Sequence, residues 1–173
     1  MSLKSILGYT AGALVALTAS TLLLPQHVSV ERSASIAGDP AKMIALAASN
    51  EGYQSFNPYK DSDPNLAIEL FGPASGVGSG FKFKSKDGDG AQVVSAVTAT
   101  SVSYDIDLGP MGQPKSSISV APDGAKTKVT WRTDMDMGMN PIGRVMGLFM
   151  DGMLGGTYEA GLKNIEVAAK PVS

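Results

Sequence analysis

The rhythm of apolar positions changes twice along this chain. From Ile6 to Leu24 the residues are uncharged and apolar all round. As a helix this run spans about 28 Å, close to the hydrocarbon thickness of a bilayer. A cleaved signal peptide would place small residues after a shorter apolar run. Here Thr18-Ala19-Ser20 is followed by Thr21-Leu22-Leu23-Leu24, which reads as more membrane core. A buried core helix would show an apolar stripe instead. The pattern predicts an uncleaved transmembrane anchor over residues 1–26, ended by Pro25, and a folded domain over residues 27–173.

Beyond the anchor, His27 to Ala37 reads as a strand stopped by Gly38. Asp39-Pro40 supplies an N-cap and a first-turn proline for a short helix, Ala41 to Ala48, with Met43, Ile44 and Ala47 on one face. Gly52 to Pro64, rich in Gly, Pro, Asp and Asn, reads as turn and loop. Period-two alternation then takes over in Leu66/Ile68/Leu70, in Phe81/Phe83, in the Val- and Thr-rich run 91–100, and in Val102/Tyr104/Ile106/Leu108. Such alternation marks antiparallel strands with one wet face. Asp87-Gly88-Asp89-Gly90 and Pro122-Asp123-Gly124 have hairpin chemistry. In the last strand Val129, Trp131, Thr133 and Met135 share one face.

Asn140-Pro141 changes the period again. Ile142, Val145, Phe149 and Met153, then Leu162, Ile165 and Ala169, fall at helical spacing. Five glycines from Gly143 to Gly156 each cost about 1 kcal/mol in a helix interior, which predicts a bend near Gly155-Gly156. The whole is an α+β domain in which an antiparallel sheet of about seven strands wraps a long C-terminal helix.

Composition narrows the chemistry. Net charge is −2 with both signs interspersed, so no basic surface for nucleic acid is predicted. The absence of cysteine removes disulfides, thiolate metal sites and cysteine nucleophiles, and His27 is the single histidine. Lys4 precedes the apolar span, whereas Glu31, Arg32 and Lys42 follow it. The positive-inside rule then puts the N-terminus in the cytoplasm and the domain outside, in the periplasm of a Gram-negative host.

Several short motifs occur in a telling order. Leu24-Pro25 leads into Val30-Glu31-Arg32-Ser33, followed by Tyr53-Gln54-Ser55-Phe56-Asn57-Pro58 and Gly76-Val77-Gly78-Ser79-Gly80-Phe81. Thr127-Lys128-Val129-Thr130-Trp131 and Tyr158-Glu159-Ala160-Gly161-Leu162-Lys163 complete the series. Together they resemble the membrane-anchored, polyketide-cyclase-like members of the START/SRPBCC superfamily, over residues 24–170. Tyr53 and Phe56 stand where those proteins usually carry Trp. The resemblance implies a helix-grip fold with a hydrophobic cavity between sheet and helix, holding a lipid or other apolar small molecule. It implies no one activity.

The expected ligand-binding residues are Tyr53, Phe56, Phe81, Phe83, Tyr104, Trp131 and Met135, with Phe149 and Met153 facing them from the helix. The plainer reading of the same residues is a filled core. Six of the nine methionines lie between Met135 and Met153. Thioethers can bind Cu(I), but strand parity favours a lining role, and no metal site is assigned. Asp87-Gly88-Asp89-Gly90 lacks the later ligands of a calcium loop, and the glycines at 76, 78 and 80 do not fit dinucleotide spacing. Asp61, Asp63 and Glu69 read as solvated loop carboxylates. With no oriented base or nucleophile the residues point away from an enzyme and from a cofactor. The expected function is a membrane-tethered binding domain for a hydrophobic small molecule or lipid. The alternative is an accessory subunit of an integral membrane complex, because Gly8, Ala11, Gly12, Ala13, Ala16 and Ala19 suit close helix contact.

Overall fold

Residues 18–170 are described by a computed structural model, and residues 18–21 are helical. The predicted span Ile6–Leu24 therefore lies mostly outside the described residues. Among the described residues no helix is long and apolar enough to cross a membrane.

β1 (His27–Ile36) buries Val30 and Ile36 and ends before Gly38. Asp39 caps α1 (Pro40–Ala48), accepting from the Ala41 amide at 2.9 Å, with Met43, Ile44 and Ala47 buried. The stretch expected to be loop instead holds two short helices, α2 (Asn50–Phe56) and α3 (Tyr59–Ser62). Ser49 caps α2, its Oγ accepting from the Gly52 amide, whereas α3 follows Pro58 without a side-chain cap, its first amide, Tyr59, being held by Asn57 Oδ1. Tyr53 and Phe56, three apart, then share the buried face of α2.

β2 (Ala67–Phe71), β3 (Gly80–Ser85), β4 (Gly88–Val97) and β5 (Ser101–Asp107) follow the alternation. The β3–β4 turn falls at Lys86-Asp87, because Ser85 pairs with Gly88, so Asp89-Gly90 belongs to β4. β6 (Lys115–Asp123) and β7 (Lys126–Asp136) close the sheet. All seven strands are antiparallel in the order β1-β7-β6-β5-β4-β3-β2, so the first strand lies beside the last.

The C-terminal helix is broken, but not where glycine content predicts. α4 (Pro141–Gly147) ends, Leu148 and Phe149 intervene, and α5 (Met150–Ala168) runs straight through Gly155-Gly156. Those glycines serve close packing. A Cβ on Gly155 would lie 2.0 Å from the Arg32 guanidinium, and one on Gly161 would lie 2.4 Å from the Trp131 ring. α5 packs against β1, β7 and α2, and α1 lies on β5 and β6.

Candidate functional site

The concave face of the sheet and the helices over it enclose a cluster of aromatic rings. Tyr53 lies at the centre, with ring centroids 4.8 Å from Phe56, 5.2 Å from Phe81, 5.6 Å from Tyr104 and 6.0 Å from Trp131. Trp131 stacks face to face on Tyr158 of α5 at 5.1 Å, with ring planes 4° apart. Phe83 touches the margin at 6.3 Å from Phe81 and is half-buried. Met135 is buried two residues on from Thr133.

The hydroxyls packed against these rings are hydrogen-bonded. Tyr158 donates to Thr133 Oγ1 at 2.7 Å, and Thr133 donates to Ser116 Oγ at 2.7 Å. Ser116 also accepts from Trp131 Nε1 at 3.1 Å and donates to the Arg132 carbonyl at 3.0 Å. The Tyr104 hydroxyl donates to the Ala47 carbonyl at 2.8 Å, and Tyr53 is hydrogen-bonded to Gln92. Burial pushes the Tyr53, Tyr104 and Tyr158 phenols above their ordinary range. They are therefore neutral donors at physiological pH, not bases.

Where the resemblance implies an open cavity, the described side chains pack ring against ring from α2 through Trp131 to Tyr158 of α5. Between α1, α2 and β3–β5 the remaining space is about 10 Å³, lined by Tyr53, Gln92 and Tyr104 among others. That is room for about one water. A larger groove of about 270 Å³ lies on the outer face of the sheet, where Ala91, Val93, Asp105 and Asp107 alternate with the core residues. It contains none of the expected ligand residues.

The margin of the cluster is charged. Arg32 has the inward parity of Val30 and lies opposite Trp131. Its guanidinium crosses Gly155, donating to both carboxylate oxygens of Asp151 at 2.7 and 2.9 Å and to Glu159 at 3.1 Å. Asp151, Gly155 and Glu159 are spaced by four, so they form one face of α5. The hydrogen bond from Arg32 holds the Asp151 carboxyl below the usual carboxylate range.

Residues 27–170 match the family described as polyketide cyclase/dehydrase and lipid transport. The chain belongs to that family. Several solved structures share the fold of this chain. One is the di-domain ARO/CYC protein StfQ from the steffimycin biosynthetic pathway, with a TM-score of 0.62, 12% identity, and coverage of 83% of this chain and 51% of that one. The chain thus spans about half the length of that di-domain protein. Protein CV1439 from Chromobacterium violaceum gives a TM-score of 0.61 at 10% identity, covering 84% of this chain and 99% of that one. Ara h 8.0201 gives 0.58 at 14% identity, covering 80% and 97%. At these identities the likeness concerns fold alone. No curated protein sequence matches the chain.

Seven of the nine expected site residues are thus gathered in the interior or on its margin: Tyr53, Phe56, Phe81, Phe83, Tyr104, Trp131 and Met135. Phe149 and Met153 do not face them, being 60% and 57% exposed. Phe149 lies in the break before α5, and Met153 falls off the face of α5 that buries Gly155, Tyr158 and Leu162. The methionine cluster divides likewise, with Met135 buried and Met139, Met146 and Met153 exposed. Sequence reasoning missed Gln92, Ser116 and Tyr158. Their signal was present: Gln92 and Ser116 occupy inward positions of apolar strands, and Tyr158 precedes Leu162 and Ile165 at helical spacing.

Proposed function

We propose that the domain binds a hydrophobic small molecule or lipid beneath α5, without catalysis, while Ile6–Leu24 tethers it to a membrane. The observation that carries the reading is an interior of aromatic rings and neutral hydroxyls in a domain of the polyketide cyclase/dehydrase and lipid transport family. Rings supply apolar contact, and Tyr53, Gln92 and Tyr158 supply the few polar groups that orient a ligand. A drug-sized ligand needs several hundred Å³, on the scale of about 300 Å³ or more. Binding therefore means displacing α5 from β1 and β7, which opens the Trp131–Tyr158 stack and the Arg32 pairs. Orientation with the domain outside the cytoplasm is part of the same proposal.

Native mass spectrometry of the full chain in mild detergent, with organic extraction, tests this. A discrete apolar mass released on denaturation supports the reading. Trp131 is the single tryptophan, so its emission reports the same event when delipidated protein is titrated with a fluorescent fatty acid. No small molecule, no uptake and unchanged Trp131 emission would sink the proposal. A stoichiometric protein mass in place of a lipid would favour the accessory-subunit alternative.

A further inference from the structure

Exposed apolar side chains are concentrated at one place on this molecule. Leu23, Ile142, Phe149 and Met153 are 88%, 75%, 60% and 57% exposed. Leu22 at 38% and Leu148 at 57% accompany them. All belong either to the chain arriving from the N-terminus or to α4 and the first turn of α5. Arg144 of α4 joins these two stretches. Its buried guanidinium donates through Nη1 to the carbonyls of Leu22 and Leu24, the latter at 3.0 Å, and through Nε to Gly138 at 2.8 Å. Those carbonyls follow the helical residues 18–21, so a cation occupies the negative end of the incoming helix. The arriving segment is held by the domain rather than hung from a free linker.

Charge is sparse along this stretch and sits at its margin, where the Asp136 carboxylate beside Gln26 and the Asp151 carboxylate are both more than half exposed. From Pro141 to Met153 the charged residues are Arg144, turned to backbone carbonyls, and Asp151, turned to Arg32. Exposed apolar side chains gathered on two stretches that Arg144 ties together mark an interaction site.

We propose that this face, α4 with the turn after it, rests on the lipid bilayer that holds the segment Ile6–Leu24. The inference depends on the tether reading above. The chain outside the described residues decides the occupant. It is uncharged from Ile6 onward and leads directly into Leu22 and Leu23, which belong to span and face alike. A helix leaving the bilayer at Leu24 puts neighbouring side chains at headgroup depth, where an amphipathic surface buries its apolar face by about 5–10 Å. With no free Lys or Arg on it, the contact needs no anionic lipid and is insensitive to salt.

The cysteine-free chain makes the test direct. Full-length Ile142→Cys, Phe149→Cys and, as a distant control, Lys128→Cys are labelled with an environment-sensitive dye. Lys128 pairs with Ser35 at the opposite end of β1 from His27, about 30 Å along the strand. Each protein is reconstituted in phosphatidylcholine vesicles containing spin-labelled lipid. The expected result is quenching at 142 and 149 several-fold above that at 128, unchanged by phosphatidylserine or high salt. Equal quenching at all three sites in protein that floats with the vesicles overturns the docking and leaves the tether standing. Protein that does not float overturns both. Shielding of 142 and 149 that depends on protein concentration, with cross-links between copies, assigns the face to a second copy and overturns the lipid assignment.

Discussion

At Gly161 a missing side chain decides the packing of the last helix. A Cβ there would meet Trp131 at 2.4 Å and the Pro58 ring at 3.3 Å, and neither is free to move. Gly161→Ala is therefore expected to push α5 off the sheet and cost about 1–3 kcal/mol, read as a lowered denaturant midpoint. Gly155→Ala meets the far end of a flexible arginine instead and should cost less in stability while breaking the Arg32 pairs. Tyr158→Phe keeps the stack on Trp131 but removes the donor to Thr133. Thr133 still donates to Ser116, so the expected loss is about 1 kcal/mol, measurable by urea unfolding. These residues were partly legible beforehand. Thr133 was visible as a hydroxyl among apolar neighbours on the inward face of β7. Gly161 was not, because nothing local in a helix reveals which glycine faces a ring from another strand.

α5 is the element that has to move for the proposed binding, and Arg32 fastens its first turns to β1. Replacing Arg32 by Met removes the pairs to Asp151 and Glu159 while retaining the aliphatic stem. Hydrogen exchange is expected to speed up over residues 150–159 and remain unchanged in β4–β6. The pH dependence follows from the lowered Asp151 carboxyl. A carboxyl lowered by folding stabilises above its unfolded pKa of about 3.9, and that contribution fades as pH falls through the folded value. Unfolding midpoints of the parent and Arg32→Met should therefore differ steadily from pH 8 to 6 and converge only below about pH 4. At this scale period and capping were good guides to strands and poor guides to helix ends. Ser49 caps a helix that runs on into the Gly52–Pro64 stretch, whose Gly, Pro and Asp content reads as loop. Glycine counting placed the C-terminal break seven residues late, since it stands at Leu148-Phe149 and not at Gly155.

For the molecule as a whole, the antiparallel sheet wrapped on a final helix was readable from alternation giving way to helical spacing. The filled interior was not. Periodicity reports which side chains face inward, but it cannot tell a packed cluster from a lined cavity, because both need the same residues. Phe149 and Met153 show the related limit: helical spacing groups residues on a face without saying whether that face meets the sheet or the outside. If ligands enter by displacement, the full chain should bind slowly, with a rate that rises when Arg32 is replaced by Met. Stopped-flow emission of Trp131 mixed with a fluorescent fatty acid checks this, and equal rates in the two proteins would mean that the Arg32 pairs do not gate access.

The pairing of β1 with β7 also bears on how the protein is made. His27–Ile36 leaves the ribosome early, yet its only strand neighbour among the described residues begins at Lys126. At about 5–20 residues per second, the intervening stretch of about 90 residues takes on the order of 5–20 s to synthesise. Through that interval the first strand is an open edge able to join a stranger's sheet. A nascent chain interrupted before Lys126 lacks the strand that joins β1 to the sheet, so incomplete products should be aggregation-prone and cleared by proteases rather than accumulate as partial domains.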